Sequence, residues 1–486
     1  MKGVLFTMDT NIEETAAHHQ TAVISVNKPF LAMFGLLIGG FVGMLSETAL
    51  NIALPNLMVN LNVSVATAQW LVTGYMLVIG VVLPLSSLLA HWFSTRQLII
   101  FALVDFIVGA LISAVAPTFT ILLIGRMIQG IATGLILPLL FTVAALIFPP
   151  HKLGAAMGMI GLVIMFAPAV GPTLAGLIIG VSNWHFIFWL FIPFLLIGLY
   201  LVLKYLPNVM KITKPAIDWL SIILSTVGFG SLVTAVSLAS AQGWGSPIVL
   251  GLLIFALFVI AVYIGRQLHT STPILNFTIF KSPRFTTGAI LVMLDFGIIL
   301  SSMYLLPMFW QKGIAIPVAL TGIVMLPGGV VNAIVSAMSG NLYERINVKI
   351  LAVSGFVISI IGIVMLMFAQ ASSPIWYVIV AHIILMVGAP LAMSPSQTFA
   401  LNALDPMTTS DGSTIMNTFQ QIIGAVSTAV ATSLLALGQA MSKTSAGNQQ
   451  IAFTNGVHLG LWFTLALAVL ALIISLTLKN NQKATA

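Results

Sequence analysis

Five ionisable side chains stand inside long apolar stretches of this sequence: Glu47, Asp105, Arg126, Asp295 and His382. Placing such a group at membrane depth costs about 2.5 kcal/mol or more, so each needs a use. A carboxylate carried between a dry surrounding and a place beside an arginine takes up and gives back a proton. Glu47 falls with Gly39, Gly43 and Asn51 at four-residue steps. That small and polar face suits a bundle interior or a wet cavity; the competing reading is a permanently paired structural carboxylate. Asp295 has Gly288 and Ser302 seven residues to either side. It reads as a proton or cation site, or as a plain interhelical hydrogen bond. Arg126 shares a face with Gln129, Gly130 and Thr133 and cannot shed its proton. It would bias a neighbouring acid such as Glu47, or brace the helices. Asp105 repeats as Asp105, Gly109 and Ser113, a close-packing stripe, which makes it the outsider for proton coupling. His382 titrates near neutrality in water, but a lone histidine in an apolar helix is more often simply hydrogen-bonded.

The elements that position these groups follow from composition. The chain has 486 residues, of which 59% are hydrophobic and 6% charged, with a mean hydropathy of +1.14. Soluble domains carry about 25% charged residues, so a water-soluble enzyme is excluded and an all-α polytopic membrane protein is expected. The stretches run continuously apolar instead of alternating, which argues against a barrel. Spans of about 20 apolar residues number fourteen. They are expected near 30–54, 69–90, 97–116, 119–147, 153–180, 185–206, 216–240, 248–266, 286–307, 317–340, 348–369, 375–396, 411–437 and 457–478. Residues 1–29 and 479–486 read as polar tails, and 1–29 lack a signal-peptide pattern.

With the N-terminus inside, fourteen Lys and Arg gather on the cytoplasmic side and two, Lys312 and Lys443, on the outside. The positive-inside bias therefore predicts cytoplasmic termini. The loop after the second span reads Ser87-Leu-Leu-Ala-His91-Trp-Phe-Ser-Thr-Arg96, and that after the tenth reads Gly340-Asn-Leu-Tyr-Glu344-Arg345-Ile-Asn-Val-Lys349. From Ser87 to Gly340 the offset is 253 residues. Two six-helix bundles are expected, at 30–206 and 285–478, with two additional helices in 207–284. Parallel repeats of this kind place a substrate site between the halves.

The loop pair resembles the signature loop of the major facilitator superfamily. Gly125-Arg126-Met-Ile-Gln129-Gly130-Ile-Ala-Thr133-Gly134 is similar to its fourth-helix drug-transporter motif. Gly158, Ala167, Gly171-Pro172 and Ala175-Gly176 are similar to the fifth-helix antiporter motif, and Ser46-Glu47-Thr48-Ala-Leu-Asn51-Ile-Ala-Leu-Pro55 to the first-helix motif of fourteen-helix drug–proton antiporters. The wording around Glu47 and His91 is closest to the lincomycin-exporter branch. The resemblance implies a fourteen-helix facilitator fold that exports amphipathic, often cationic drugs by proton antiport and alternating access. It supports Glu47 as the coupling acid with Arg126 biasing it, beside Asp295 and Asp105, which are expected in proton coupling from their depth in the spans alone, and it implies gating by Arg96, Gly340, Glu344, Arg345, Gly158, Gly171, Pro172 and Gly176. In this sequence Ser46 stands where the family carries its acid, with Glu47 next to it, and His91 stands where the signature loop has Asp.

Substrate contacts are expected from Glu47, Asn51, Gln129, Asp295, Tyr75 and Met44, with Met165 and Phe166 as further candidates for an adaptable wall. The partners expected are small amphipathic substrates, protons and the lipid bilayer of a bacterial plasma membrane, with the chain a monomer. Seventeen dispersed bases make no nucleic-acid patch. No Gly-Lys-Ser/Thr phosphate loop occurs, so a proton gradient replaces ATP as the energy source. No cofactor or metal is expected: cysteine is absent, and His18 and His19 have no further ligands nearby. Asp218, Asp405 and Asp411 read as helix caps or solvated groups. A lipid or metabolite exporter on the same scaffold is the alternative, with an ion channel and a membrane enzyme further off.

Overall fold

The computed structural model describes residues 28–478, apart from 149, 210, 211, 213, 215–217, 271–272, 405–407 and 447–448. His18, His19 and Asp405 fall outside the described residues, as does the side chain of Asp411. The described chain is helical throughout, in fourteen long helices. The first six are α1 (Pro29–Asn60), α2 (Val65–Trp92), α3 (Thr95–Ala114), α4 (Phe119–Ile147), α5 (Pro150–Val181) and α6 (His185–Tyr205). Two more follow, α7 (Trp219–Gln242) and α8 (Pro247–His269). The last six are α9 (Pro283–Met308), α10 (Val318–Arg345), α11 (Val348–Phe368), α12 (Ile375–Leu401), α13 (Thr409–Ala446) and α14 (Gln449–Leu476). Thirteen of them are long and apolar enough to cross a membrane; in α5 the described apolar run is Phe166–Val181. Helices are what the composition demands, because in lipid every backbone N–H and C=O must be satisfied within the segment.

The helices outrun the apolar stretches that announce them. α1 continues to Asn60 and α13 to Ala446, beyond the expected 54 and 437. Hydropathy marks where the chain leaves an apolar environment, whereas a helix stops where its backbone finds a cap. Ser64 accepts from Thr67 N at 3.1 Å, and Ser94 forms a reciprocal capping box with Gln97. Asp218 caps α7 by accepting from Ser221 N at 3.2 Å, in keeping with its reading as a cap. The Arg266 side chain also donates to Asp218, at 2.9 Å, and that hydrogen bond holds its carboxyl down at about 2.

Within the first six helices α1 packs on α4, α5 and α6, and α3 on α4 and α6; among the last six, α9 packs on α12, α13 and α14, and α11 on α12 and α14. Close crossings rest on glycine. A Cβ on Gly109 of α3 would meet the backbone of Gly125 and Gln129 in α4, and one on Gly362 of α11 would meet that of Ala381 and Leu385 in α12. The step from 109 to 362 is 253 residues, the same offset as the loop pair, so the repeat extends to helix packing. The stripe at Asp105, Gly109 and Ser113 is thus the α3–α4 contact, as its spacing implied.

Two seams join the halves: α5 against α10, and α2 against α13. The α7–α8 hairpin lies over the second seam, α7 touching both α2 and α13. A chain of rings (Tyr263, Phe229, Phe419 and Phe277) ties the hairpin to α13, with centroids 5.9–6.3 Å apart.

Candidate functional site

Between the halves lies a cavity of about 280 Å³. From the first half it is lined by Met44, Glu47 and Thr48 of α1, Leu137 and Phe141 of α4, and Pro168 and Pro172 of α5. Phe296, Leu300 and Met303 of α9 and Met386 and Met393 of α12 form apolar wall on the other side. Polar groups on that side are Asn332 on α10, His382 and Gln397 on α12, and Asn417, Gln420 and Gln421 on α13.

Glu47 is 1% exposed. The Gln421 side chain approaches its carboxylate from the opposite wall, while its Oε2 has no partner. α1 is held in place here by the chemistry of α5. Pro172 lacks an N–H, so the carbonyl of Pro168, one turn back, has no helical partner; Thr48 Oγ1 donates to it at 3.0 Å. The residue after Glu47 therefore bolts α1 to the kinked helix, and Gly171 allows the approach, since a Cβ there would meet the backbone at Leu45 and Ala49.

Arg126 is wholly buried but makes no ion pair with Glu47. Its guanidinium donates to Ser46 Oγ, to Gln129 Oε1 at 2.9 Å, and to the carbonyls of Ser46 and Leu71 at 3.2 Å each. It also lies 3.9 Å from the centroid of the Tyr75 ring, whose hydroxyl donates to Gly43 O at 2.9 Å. Arg126 thus braces α1, α2 and α4. The serine at position 46 faces the arginine, and the acid one residue on, turned about 100°, faces the cavity instead.

The remaining expected site residues divide. Met44 and Glu47 line the cavity, whereas Asn51, Tyr75, Gln129 and Asp295 do not. Gly39 and Gly43 pack against α3 and α4, so the four-residue stripe on α1 is not one cavity face. Each step of four drifts about 40°, which turns Asn51 well away from Gly39. Asp295 is 0% exposed with both carboxyl oxygens unpartnered; it is buried within the second half, not on the cavity wall. Asp105 is half-buried on α3, away from the cavity. Phe166 is exposed, and the Met165 side chain is outside those described.

Of the expected gating residues, Gly176 on α5 abuts Gly322 of α10, and Thr173 Oγ1 donates to Gly322 O at 2.8 Å. With Gly171 against α1, α5 is a wedge between the halves. The side chain of Gln311, just after α9, reaches Ile52 O at 2.9 Å. These contacts lie at the end remote from the termini, while Phe141, Gln397 and Asn417 carry the cavity toward the terminus end. Arg96 donates to Leu203 O within the first half, and Arg345 is exposed. Gly158 lies on α5, and Gly340 and Glu344 lie on α10.

Charge alone does not reveal the amide wall, and a lone histidine reads as structural, yet His382 lines the cavity beside the amides. Its ring packs edge-on to Trp310 at 5.7 Å with Nδ1 unpartnered. The signal for the amides is present in the sequence: Asn417, Gln420 and Gln421 are spaced as one helix face inside an apolar span.

Residues 36–428 match the family model described as Major Facilitator Superfamily. The chain is 45% identical over 459 residues to the lincomycin resistance protein LmrB of Listeria innocua, covering 93% of this chain and 97% of the relative. To the lincomycin resistance protein LmrB of Bacillus subtilis it is 45% identical over 458 residues, covering 92% and 95%. Among solved structures, the xylose transporter XylE of E. coli superimposes with a TM-score of 0.62 at 16% identity, over 94% of this chain and 99% of that one. A POT family transporter gives 0.67 at 15%, over 93% and 98%. At such identities these two speak to the fold.

Proposed function

The chain belongs to the major facilitator superfamily, and from that premise we propose that it is a proton-driven exporter of amphipathic cationic drugs, lincosamides among them. The observation that carries the reading is Glu47: a carboxylate in a cavity between the two halves, facing groups that can bind a drug. The kinship with lincomycin resistance proteins supports the substrate class.

The mechanism follows from the seams. With the termini in the cytoplasm of a bacterial cell, the α5–α10 seam closes the outer side and the cavity faces inward. A cationic drug enters from the cytoplasm or inner leaflet and pairs with Glu47. The halves then rock, parting Gly176 from Gly322 and opening the cavity outward. A proton arriving from outside neutralises Glu47, releases the cation and accompanies the return. One cation leaves for each proton that enters, so no net charge crosses and the pH difference supplies the drive, about 1.4 kcal/mol for each tenfold ratio of protons. Arg126 carries no proton; it fixes the backbone of α1 around Ser46 so that Glu47 stays aimed at the cavity. The protein works as a monomer.

Proteoliposomes with an imposed pH gradient test this. Lincomycin should be driven against its gradient, with protons moving in the opposite direction, and collapse of the gradient by an ionophore should stop it. Movement of fluorescent lipid but not of lincomycin or ethidium would point instead to a lipid exporter.

A second test bears on alternating access. A Cβ on Gly180 would overlap the Ala319 side chain across the α5–α10 seam, so a parting of the helices by about 1–2 Å brings two cysteines there to the roughly 3.5–4.5 Å Cβ spacing of a disulfide, and the chain has no cysteine of its own. In the variant carrying both Gly180→Cys and Ala319→Cys, oxidation should cross-link the seam and halt transport, and reductant should restore it. Undiminished transport in the cross-linked protein would show that the halves do not part here.

A further inference from the structure

The walls of the cavity are unequal in a way that the exporter reading does not require. The first half contributes one carboxylate, Glu47. The second half contributes five amides, Asn332, Gln397, Asn417, Gln420 and Gln421, and no acid among the described lining residues. Asp295, the acid of α9, is buried away from the cavity and offers no second anion. Two of the amides carry unspent hydrogen-bonding capacity while almost wholly enclosed. Gln420 Nε2 and Gln421 Oε1 are both without partners, and the residues are 6% and 5% exposed. Asn332 is engaged only weakly, donating to Met386 Sδ at 3.5 Å.

Buried polar atoms left unpaired are costly, and here they face a space that a ligand can fill. A donor on Gln420 calls for an acceptor on the ligand, such as a hydroxyl or amide oxygen. An acceptor on Gln421 calls for an O–H or N–H. Glu47 calls for one positive charge. A second positive charge would lie against amides and methionines, desolvated and without an anion, a cost of several kcal/mol in so enclosed a place. A quaternary nitrogen cannot even donate to the amide oxygens, since it has no N–H.

We infer that the cavity is a one-charge site with a hydrogen-bonding wall, selecting singly cationic amphiphiles that carry several hydroxyl or amide groups and rejecting dications. The inference rests on the exporter reading and narrows its substrate class. Selection against the wrong ligand comes from what it leaves unpaired: the dication its second charge, the bare lipophilic cation the amides themselves.

Three probes in pH-driven proteoliposomes test it: lincomycin, a basic amide bearing several hydroxyls; tetraphenylphosphonium, one charge and no hydrogen-bonding group; and a bis-quaternary ammonium dication. The wild-type protein should move lincomycin faster than tetraphenylphosphonium, and the dication at least about tenfold more slowly than either. Gln420→Leu should lower the ratio of lincomycin to tetraphenylphosphonium rates by about tenfold, on the order of what one or two lost hydrogen bonds to a ligand amount to. Asn332→Asp places a second carboxylate on the amide wall and should raise dication transport by about tenfold or more; misfolding cannot produce such a gain. Wild-type transport of the dication at the monocation rate, an unchanged ratio in Gln420→Leu, or no gain in Asn332→Asp overturns the inference. If the wild type moves tetraphenylphosphonium but not lincomycin, the inference falls and the exporter reading stands. If it moves none of the three, both fall together.

Discussion

Glu47→Gln should abolish pH-driven lincomycin export, lowering the initial rate by on the order of a hundredfold at equal expression. The geometry sets the size. Glu47 is the acid lining the cavity among the described residues, so its loss removes both the counter-charge for the drug and the group that exchanges it for a proton. Removing one member of a desolvated charge pair costs roughly 2–5 kcal/mol, and each 1.4 kcal/mol is about a factor of ten. Glutamine is nearly isosteric and can still pair with Gln421, while Thr48 still ties α1 to the Pro168 carbonyl. The variant should therefore insert and fold. In the wild type, acidifying the outside should speed export; in Glu47→Gln the residual rate should not respond to the gradient. Asp295→Asn makes the informative contrast: Asp295 is off the cavity wall, so the apparent affinity for lincomycin should stay as in the wild type whatever happens to the rate. A Glu47→Gln protein that exports normally would remove the basis of the mechanism.

Gly388→Leu should markedly lower the melting temperature and the yield of folded protein. At the α11–α12 crossing a Cβ on Gly388 would press on the Ser359 amide nitrogen and on the carbonyl of Gly355. These are backbone atoms of a neighbouring helix and cannot rotate aside as a side-chain tip would. Overpacking a tight site costs about 1–3 kcal/mol and occasionally more; with backbone on the opposing side the upper end is expected. Set against a typical net stability of about 5–15 kcal/mol, that is a large share. Thermal unfolding in detergent, followed by fluorescence-detected size exclusion, checks it. Gly251 is the control: on α8 a Cβ there meets nothing within 4 Å, so Gly251→Leu should leave the melting temperature unchanged. Equal melting temperatures for the two variants would mean that α11 and α12 can separate at this crossing without loss of stability.

The two variants also separate what a linear reading of this chain can reach. Fourteen spans, the repeat at 253 residues and the presence of acids at membrane depth are all determined by the sequence. Lipid imposes its demands one segment at a time: each span must be long, apolar and internally hydrogen-bonded. The scarcity of charge then leaves few places for ion chemistry, and Glu47 stands out among them by residue type and spacing alone. The motif resemblances carry the family, and the match of residues 36–428 bears that out.

Which way each side chain points is decided by the tertiary structure alone. In a water-soluble bundle the apolar face of a helix marks the interior, but in a bilayer the lipid side is as apolar as the core, so periodicity loses most of its power to tell them apart. Glu47 and Asp295 therefore look alike along the chain, each an acid among small residues, yet one lines the cavity and the other is enclosed within its own half. Gly251 and Gly388 likewise look alike until the neighbouring helix is in place. The amides of α13 weigh little beside charges in the sequence, and only the crossing of α13 against α2 brings Gln421 to Glu47. The chemistry of the cavity is a product of two halves meeting, and no span by itself contains it.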